Sequence, residues 1–312
     1  MALSVNNRGI AMARNRLERF LGDKVATDRL LEKYTTMHVG GPAAIFVTAE
    51  DLTDLRLTMQ TIEDYELPLL VLGRGSNLLV SDKGFQGIVL RLGHEFKHIS
   101  VDGTEITTGA GAALGTIVQT ALRHSLGGLA FAVGIPGTIG AAIAVNAGTH
   151  GRDMGSVTKK IVYYSSGLEL RTATAATLGF SYRNCRLPRG AIIIEVRLAL
   201  EEAEPDAVKH EMEMNWKRRK RSQPLDALSA GSVFKNPPDD HAARLIEEAG
   251  LKGYAVGGAM VSEKHANFFV NTGGATGADF YALIKDVAAR IKETYDIELE
   301  PEIRIVGDWS HV

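Results

Sequence analysis

The chain of 312 residues holds a single cysteine, Cys185, so no intrachain disulfide is possible and the sequence suits a reducing, cytoplasmic setting. Neither sign of charge dominates. The formal net charge is −2, and no global field draws the protein to nucleic acid or to an anionic membrane. Arg8, Arg14, Arg16 and Arg19 crowd the N-terminus without an apolar stretch behind them, so no secretory signal is expected. Repeats and low-complexity tracts are missing, as is the Gly-x4-Gly-Lys-Ser/Thr loop of ATPases. From Ser125 to Thr149 there is no charged residue at all. The interruptions at Gly127, Gly128, Gly134, Pro136, Gly137 and Gly140 make it a poor membrane anchor, and buried core around a cofactor is expected instead. With 45% hydrophobic and 23% charged residues the chain can build a sizeable core, and its length suits two domains.

What is present is glycine in one concentrated stretch, Gly134 to Gly151, reading GIPGTIGAAIAVNAGTHG. Glycine lets the backbone come close to a ligand, and successive N–H groups outside a ladder form an anion-binding nest. The stretch reads as the floor of a site for a large, flat, anionic cofactor. A second loop, Gly73-Arg-Gly-Ser-Asn77, follows a β-α-β pattern of a strand over Ala43–Thr48, a helix over Asp51–Tyr65 and a strand over Leu69–Leu72. Two glycines, a hydroxyl and an amide directly after a strand make a phosphate cradle.

Three other motifs are expected to be structural. His94-Glu-Phe-Lys-His98 matches a zinc-protease pattern, which requires a helix to bring both histidines to one face. Here strands expected at Gly87–Leu92 and Ile99–Val101 leave no room for one, so no metal is expected. Gly109-Ala-Gly111 between a strand and a helix resembles a dinucleotide fingerprint, but Leu114 stands where the third glycine belongs and no acid follows for a ribose. The run Lys217-Arg-Arg-Lys-Arg221 ends a helix expected over Asp206–Lys220, where cations meet the helix's partial negative charge. Nucleic acid is not expected to bind it, and one or two of these side chains remain open to a small diphosphate-bearing molecule. Further elements are expected as a helix over Arg8–Leu21, a hairpin of Val157–Tyr164 and Leu168–Thr172 around Ser166-Gly167, and a strand over Ala191–Leu200. A break falls at Glu201–Pro205. Beyond it strands are expected over Gly253–Ala259 and Phe268–Asn271, a helix over Thr276–Tyr295, then a terminal strand over Leu299–Gly307 with Glu300 and Glu302 on one face.

Taken together, Gly73–Asn77, Gly134–Gly151, Tyr182-Arg183, Gly231-Ser-Val-Phe-Lys-Asn-Pro237 and Glu302 resemble the UDP-N-acetylenolpyruvoylglucosamine reductase (MurB) family of bacterial wall synthesis, from about Tyr34 to Gly307. The resemblance implies an α+β fold: a two-lobed FAD-binding domain of the vanillyl-alcohol-oxidase type, residues 30–205, plus a separate α+β substrate-binding domain, residues 206–312, after an N-terminal helical segment, residues 1–29. It implies an oxidoreductase, a flavoprotein with FAD as cofactor and NADPH as co-substrate. Its reaction turns UDP-N-acetylglucosamine enolpyruvate into UDP-N-acetylmuramate for peptidoglycan, and so serves cell shape and division.

By motif, Ser232 is the proton donor, and Arg183 and Glu302 steady the intermediate. The residues implied for FAD are Gly73, Gly75, Ser76, Asn77, Leu78, Gly134, Ile135, Pro136, Gly137, Thr138, Gly140, Asn146 and Gly148. Those implied for the substrate are Tyr182, Gln223, Lys235, Asn236, Lys252 and His265. Lys235 is also expected to ease the proton supply to Ser232. A small-molecule substrate and a monomer are expected. The chain lacks the insertion after Ala191–Leu200 that in one branch supplies a tyrosine over the substrate, and Ala141 stands where glycine is common. The competing readings are an FAD oxidase or dehydrogenase of the same cofactor fold, and a nucleotide- or nucleic-acid-binding module.

Overall fold

Apolar residues in the strands Thr158–Ser165 and Ile192–Ala199 fall on both faces, and the reason is that one sheet serves two cores. The sheet has five antiparallel strands, ordered Glu169–Thr174, Thr158–Ser165, Ile192–Ala199, Glu105–Gly109, Ile99–Asp102. Tyr164, Ile192 and Ile194 pack with Leu17, Ile45, Val47, Leu55, Met59 and Ile88. Ile161, Ile193, Val196 and Leu198 pack instead with Ile106, Ile117, Leu129, Phe131, Ile139 and Ile143. Period-2 alternation divides the side chains of Thr158–Ser165 between the two clusters, while in Ile192–Ala199 a register irregularity between Ile193 and Glu195 shifts the alternation, so that Val196 and Leu198 join Ile193 in the second core. This is the two-lobed arrangement, with the helices Asn7–Leu21 and Leu52–Asp64 on the first core and Leu114–Arg123 and Ile139–Ala144 on the second.

The computed structural model describes residues 7–149, 151–165, 167, 169–310 and 312. His150, Ser166 and Leu168, which belong to the expected glycine stretch and hairpin turn, lie outside the described residues. The chain divides into two units. One comprises Met1–Ala26, Ile45–Gly73 and Gly87–Arg218; the other comprises Thr27–Ala44, Arg74–Gln86 and Arg219–Val312.

In the first unit the strand Leu69–Val71 runs parallel to Phe85–Leu92, with Leu70 opposite Val89, as a β-α-β crossover requires. Asp51 caps the intervening helix by accepting from the Asp54 N–H at 2.8 Å. The helix Pro205–Ser222 starts where the sequence break was expected, yet Val208 and Met212 are buried in the second core of this unit and Asn215 donates to the Ala130 carbonyl at 3.2 Å. Those contacts keep the helix with the first unit as far as Arg218.

In the second unit four antiparallel strands follow the order Leu228–Ser232, Phe268–Asn271, Ala259–Val261, Ala255–Val256. The core beneath them draws Phe280, Ile284, Val287 and Ile291 from the helix Gly277–Tyr295, and Met37, Val39 and Leu79 from early in the chain. That helix opens with a capping box of Thr276 and Asp279, and Asp82 adds acceptors for the N–H groups of Gly277 (2.7 Å) and Ala278 (2.9 Å).

Three expectations are corrected. Val25–Leu30, expected inside a helical segment, is a strand. The expected terminal strand is regular only over Arg304–Val306, parallel to Leu78–Val80. Upstream, Pro301 has no N–H to offer, and a lone bridge to Phe234 replaces the ladder. The expected strand over 253–259 is two short ones, Ala255–Val256 and Ala259–Val261, joined in a hairpin.

The structural motifs behave as the spacing requires. His94–His98 is one 3-10 turn, Glu95–Lys97, between two strands, and the His98 ring nitrogen Nδ1 meets the Glu95 carbonyl at 2.9 Å. Among the described residues no cluster of His, Cys, Asp and Glu is placed to hold a metal. Gly109 and Gly111 form a crossing turn whose N–H groups donate to the carbonyls of His98 and Phe96. No described helix is long and apolar enough to cross a membrane.

Candidate active site

In the first unit the glycine stretch carries a six-residue helix, Ile139–Ala144, reached through Gly134, Ile135, Pro136, Gly137 and Thr138. Gly134 and Pro136 are exposed, Ile135 and Thr138 half-buried, and the helix turns Ala141, Ala144 and Val145 outward. That surface is apolar and uncharged, suited to an aromatic ring system. Gly140 N–H donates to the Ala110 carbonyl at 2.9 Å and so fixes the helix from below. Gly73 faces the same stretch: a Cβ placed on it would stand 2.9 Å from Thr138 Oγ1 and 3.5 Å from Ala141 Cβ. Only glycine lets the two loops come this near, which is the cradle a bulky dinucleotide needs, and the residues present fit FAD.

Asn146 plays another part. It is 1% exposed, and its amide nitrogen donates to Asp153 and to the Ser181 carbonyl, both at 2.8 Å, while its oxygen accepts from Gly155 N–H at 2.9 Å. The side chain is fully engaged with protein, so it shapes the loop rather than presenting an amide to a ligand. Ser181 lies two residues before Arg183. Arg183 itself sits at φ +53, with Nη1 donating to the Gly148 carbonyl at 3.0 Å and its guanidinium 5.4 Å from the ring of the exposed Tyr182. Asn146 and Gly148 together therefore set the corner that carries Arg183. Asp153 was passed over in the sequence; its signal is the N-cap position of the turn Met154–Ser156, where it accepts from Ser156 N–H at 3.1 Å.

In the second unit the loop Arg74–Asn77 is pinned by Gly75, at φ +61, where a Cβ would lie 2.0 Å from the Tyr34 carbonyl oxygen. Its carbonyl accepts from Thr36 N–H at 3.1 Å. Asn77 then binds the C-terminal segment twice. Its amide donates to the Glu302 carbonyl at 3.2 Å, and its own carbonyl accepts from Arg304 N–H at 3.1 Å. The strand from Leu78 continues this parallel pairing, with Leu78 opposite Arg304.

Ser232 ends the strand Leu228–Ser232 beyond an irregularity at Gly231, which takes φ +78. Glu302 N–H donates to the Val233 carbonyl at 2.7 Å, so the acid and the serine come from segments paired one residue away from each other. Asn267, 3% exposed, clamps the other side. It accepts from Phe234 N–H at 2.9 Å and donates to the Phe234 carbonyl at 2.8 Å. Sequence reasoning missed Asn267, since nothing local marks it. The structure thus brings together Ser232, Glu302 and Asn77 from three distant stretches.

The residues expected at the substrate are less uniform. Lys235 forms an ion pair with Glu300, which gives its ammonium a partner other than the expected Ser232. The Asn236 carboxamide meets His241 Nδ1 at 3.1 Å and accepts from Ala242 N–H at 3.2 Å, starting the helix Ala242–Glu248. Lys252 pairs with Glu247 at 2.6 Å. His265 packs edge-on against Phe268, and burial holds its pKa below the usual histidine value, with nearby Lys252 acting in the same direction. Gln223 Oε1 is buried with no hydrogen-bond partner.

Comparison with known proteins places these two halves. Residues 43–168 match the model of an FAD binding domain, and residues 223–306 match the C-terminal domain of UDP-N-acetylenolpyruvoylglucosamine reductase. A UDP-N-acetylenolpyruvoylglucosamine reductase of Symbiobacterium thermophilum is 43% identical, covering 90% of this chain and 91% of its own length. The reductase of Bacillus subtilis is 39% identical over 93% of this chain and 96% of its own. The crystal structure of the Thermus caldophilus enzyme (MurB) superimposes with a TM-score of 0.79 at 39% identity, covering 89% of this chain and 97% of that one. p-Cresol methylhydroxylase, 10% identical with a TM-score of 0.57, shares the fold alone. With full-length relatives at this identity, and with the glycine cradle, Ser232 and Glu302 all present, the chain belongs to the UDP-N-acetylenolpyruvoylglucosamine reductase family.

Proposed function

We propose that this protein catalyses the NADPH-driven reduction of UDP-N-acetylglucosamine enolpyruvate to UDP-N-acetylmuramate, a step of peptidoglycan synthesis, as a UDP-N-acetylmuramate dehydrogenase. FAD, when bound, accepts hydride from NADPH and delivers it to the terminal carbon of the substrate's double bond. Gly73, Thr138 and the exposed apolar surface of Gly134–Val145 would hold its ring system, and Gly75, Ser76, Asn77 and Leu78 would supply hydrogen-bonding groups to its phosphates. The functional division then follows the expected lines: a cofactor portion within 30–205 and a substrate portion within 206–312, preceded by the segment 1–29. We place the protein in the cytoplasm, as a monomer without nucleic-acid or membrane partners.

The protein's own groups then act on the charge that develops beside the substrate carboxylate. Arg183 offers a planar fork for that carboxylate and a charge opposing the developing enolate. Ser232 Oγ–H gives its proton to the adjacent carbon. Glu302 helps when protonated or when orienting another donor, since an ionised carboxylate would oppose the enolate. The observation that supports this reading is the hydrogen bond from Glu302 N–H to the Val233 carbonyl, next in sequence to Ser232, together with that from the Asn77 amide to the Glu302 carbonyl.

The test is anaerobic stopped-flow on the purified yellow protein. NADPH should bleach the flavin, and UDP-N-acetylglucosamine enolpyruvate should restore its colour with formation of UDP-N-acetylmuramate. In Ser232→Ala the NADPH half should be unchanged while the substrate half slows by about 10²–10⁴-fold, the usual worth of a positioned proton donor. Reoxidation by oxygen but not by the enolpyruvyl substrate would refute the assignment.

A further inference from the structure

The five-stranded sheet of the first unit ends in two unlike edges. The strand Glu169–Thr174 is exposed along nearly all its length and carries the ion pair of Arg171 with Glu169, the kind of charge that keeps other strands away. The strand Ile99–Asp102 forms the opposite edge. Alternation puts Ile99 and Val101, both half-buried, on the face packed against the second core, with Ser100 and Asp102 exposed on the other. The inner face of this edge therefore carries no charge.

Its backbone is unpaired on the outer side. The His98 carbonyl accepts from Gly109 N–H at 3.0 Å, and Ile99 and Ser100 lie opposite Thr108 and Thr107. In an antiparallel ladder alternate residues bond the neighbouring strand. His98, Ser100 and Asp102 thus turn their backbone groups to Glu105–Gly109, while Ile99 and Val101 turn theirs outward. Among the described residues no other strand takes them up.

Beside this edge runs a groove of about 450 Å³, lined by Ile99, Val101, Thr116, Thr120, Arg123 and His124. The last four share one face of the helix Leu114–Arg123 and its C-terminal turn, at helical spacing. Arg123 Nη2 donates to Thr120 Oγ1 at 3.0 Å, which holds the guanidinium on the groove, and His124 is exposed next to it. No lining residue is acidic, and among the described residues no carboxylate pairs with Arg123 or His124. The complement of this surface has three parts: an extended backbone for the edge, apolar side chains at alternate positions for Ile99 and Val101, and a carboxylate for the guanidinium and imidazole.

We infer that the edge Ile99–Asp102 receives an extended segment of a partner protein, which adds to the sheet as a further strand. Its alternate apolar side chains fill the groove, and a Glu or Asp side chain meets Arg123 and His124. None of these residues belongs to the cofactor or substrate groups assigned above, so the inference stands apart from the reductase reading.

The probes are acetylated, C-amidated hexapeptides of the pattern Thr-Φ-Thr-Φ-Ser-Glu, where Φ is Val, Ile, Leu or Phe and the side chain supplies the carboxylate. They are passed over the immobilised FAD-loaded enzyme. The best should bind with a Kd below about 1 mM. Exchanging its Glu for Gln should weaken binding by about three- to fivefold in the wild type and by less than about twofold in Arg123→Gln. Thr116→Trp, at an exposed position, should fill the groove and abolish binding without changing the melting temperature. On binding, the amides of Ile99 and Val101 should exchange hydrogen more slowly, while that of Ser100, already bonded within the sheet, should not change. NADPH should bleach the flavin of both variants as in the wild type. Failure of every peptide to bind, equal loss on the Glu-to-Gln exchange with and without Arg123, or unchanged exchange at Ile99 and Val101 would overturn the inference. So would a free enzyme that self-associates with those two amides already protected, since the occupant is then a second copy of the chain.

Discussion

Gly73 and Thr138 offer a sharp test of the cofactor cradle, because one close approach can be made and then undone. In Gly73→Ala the new methyl carbon would lie 2.9 Å from Thr138 Oγ1, against 3.4 Å and more for ordinary contact, while its next neighbour, Ala141 Cβ, is already at a comfortable 3.5 Å. Gly73 is not at positive φ, so no backbone strain adds to the clash. Thr138 is β-branched and its side chain turns aside only with difficulty. Overpacking of this kind costs about 1–3 kcal/mol, and if the loops part to relieve it, FAD should bind about five- to 150-fold more weakly at about 1.4 kcal/mol per tenfold. Thr138→Ala by itself should be mild, since the threonine makes no side-chain capping bond to its helix. The double variant should recover most of the lost affinity, a coupling of about 1–2 kcal/mol. The assay is FAD titration of the four stripped proteins, followed by quenching of flavin fluorescence. Wild-type affinity in Gly73→Ala, or a double variant no better than Gly73→Ala, would show that the two loops do not constrain each other.

Other consequences can be checked separately. Asp82→Ala removes both acceptors at the start of Gly277–Tyr295 and should lower stability by about 1–2 kcal/mol in urea unfolding, while Asp82→Asn should lose less. Cys185 is buried, and burial pushes its thiol up to about 11, so a thiol reagent at pH 8 should label the unfolded protein quickly and the native protein scarcely. Asp240 is held down to about 2, first by its hydrogen bonds from Arg244 and then by the His241 N–H. Its folded value lies below the unfolded one of about 3.9, so the stability it lends is complete above that and lost as pH falls toward 2. The gap in urea midpoint between wild type and Arg244→Ala should close across that window and stay constant above pH 5.

Much of the architecture could be read in advance because it is written in local patterns. Thr276 followed by Phe280, Ile284, Val287 and Ile291 spells a capped helix with one buried stripe, and that is the helix observed. Ile192-Ile193-Ile194 reads as a buried strand, but only the structure explains the run, with Ile193 in one core and its neighbours in the other. Val25–Leu30 escaped notice because Asp28, at φ +50, and Arg29 break any apolar alternation. The candidate site was legible as residue types and illegible as a network. Nothing near Asn77 reveals that its amide holds Glu302, and nothing near Phe234 reveals Asn267. Such bonds join positions far apart in sequence, where no periodicity reaches. Pro301 is the exception in the other direction, since a proline inside an expected strand already argued against a continuous ladder.

The second unit borrows Met37, Val39 and Leu79 for its core, and its last strand lies along Leu78–Val80. On the ribosome those early pieces emerge long before their mates. At about 5–20 residues per second, residues up to 86 wait about 10–45 s for the final strand to be made. Throughout that delay a set of greasy side chains has no native place to go. This half therefore completes its core only once Arg304–Val306 has been made, and nascent chains stalled short of Arg304 should engage holdase chaperones and resist rescue by expressing residues 219–312 as a stand-alone fragment.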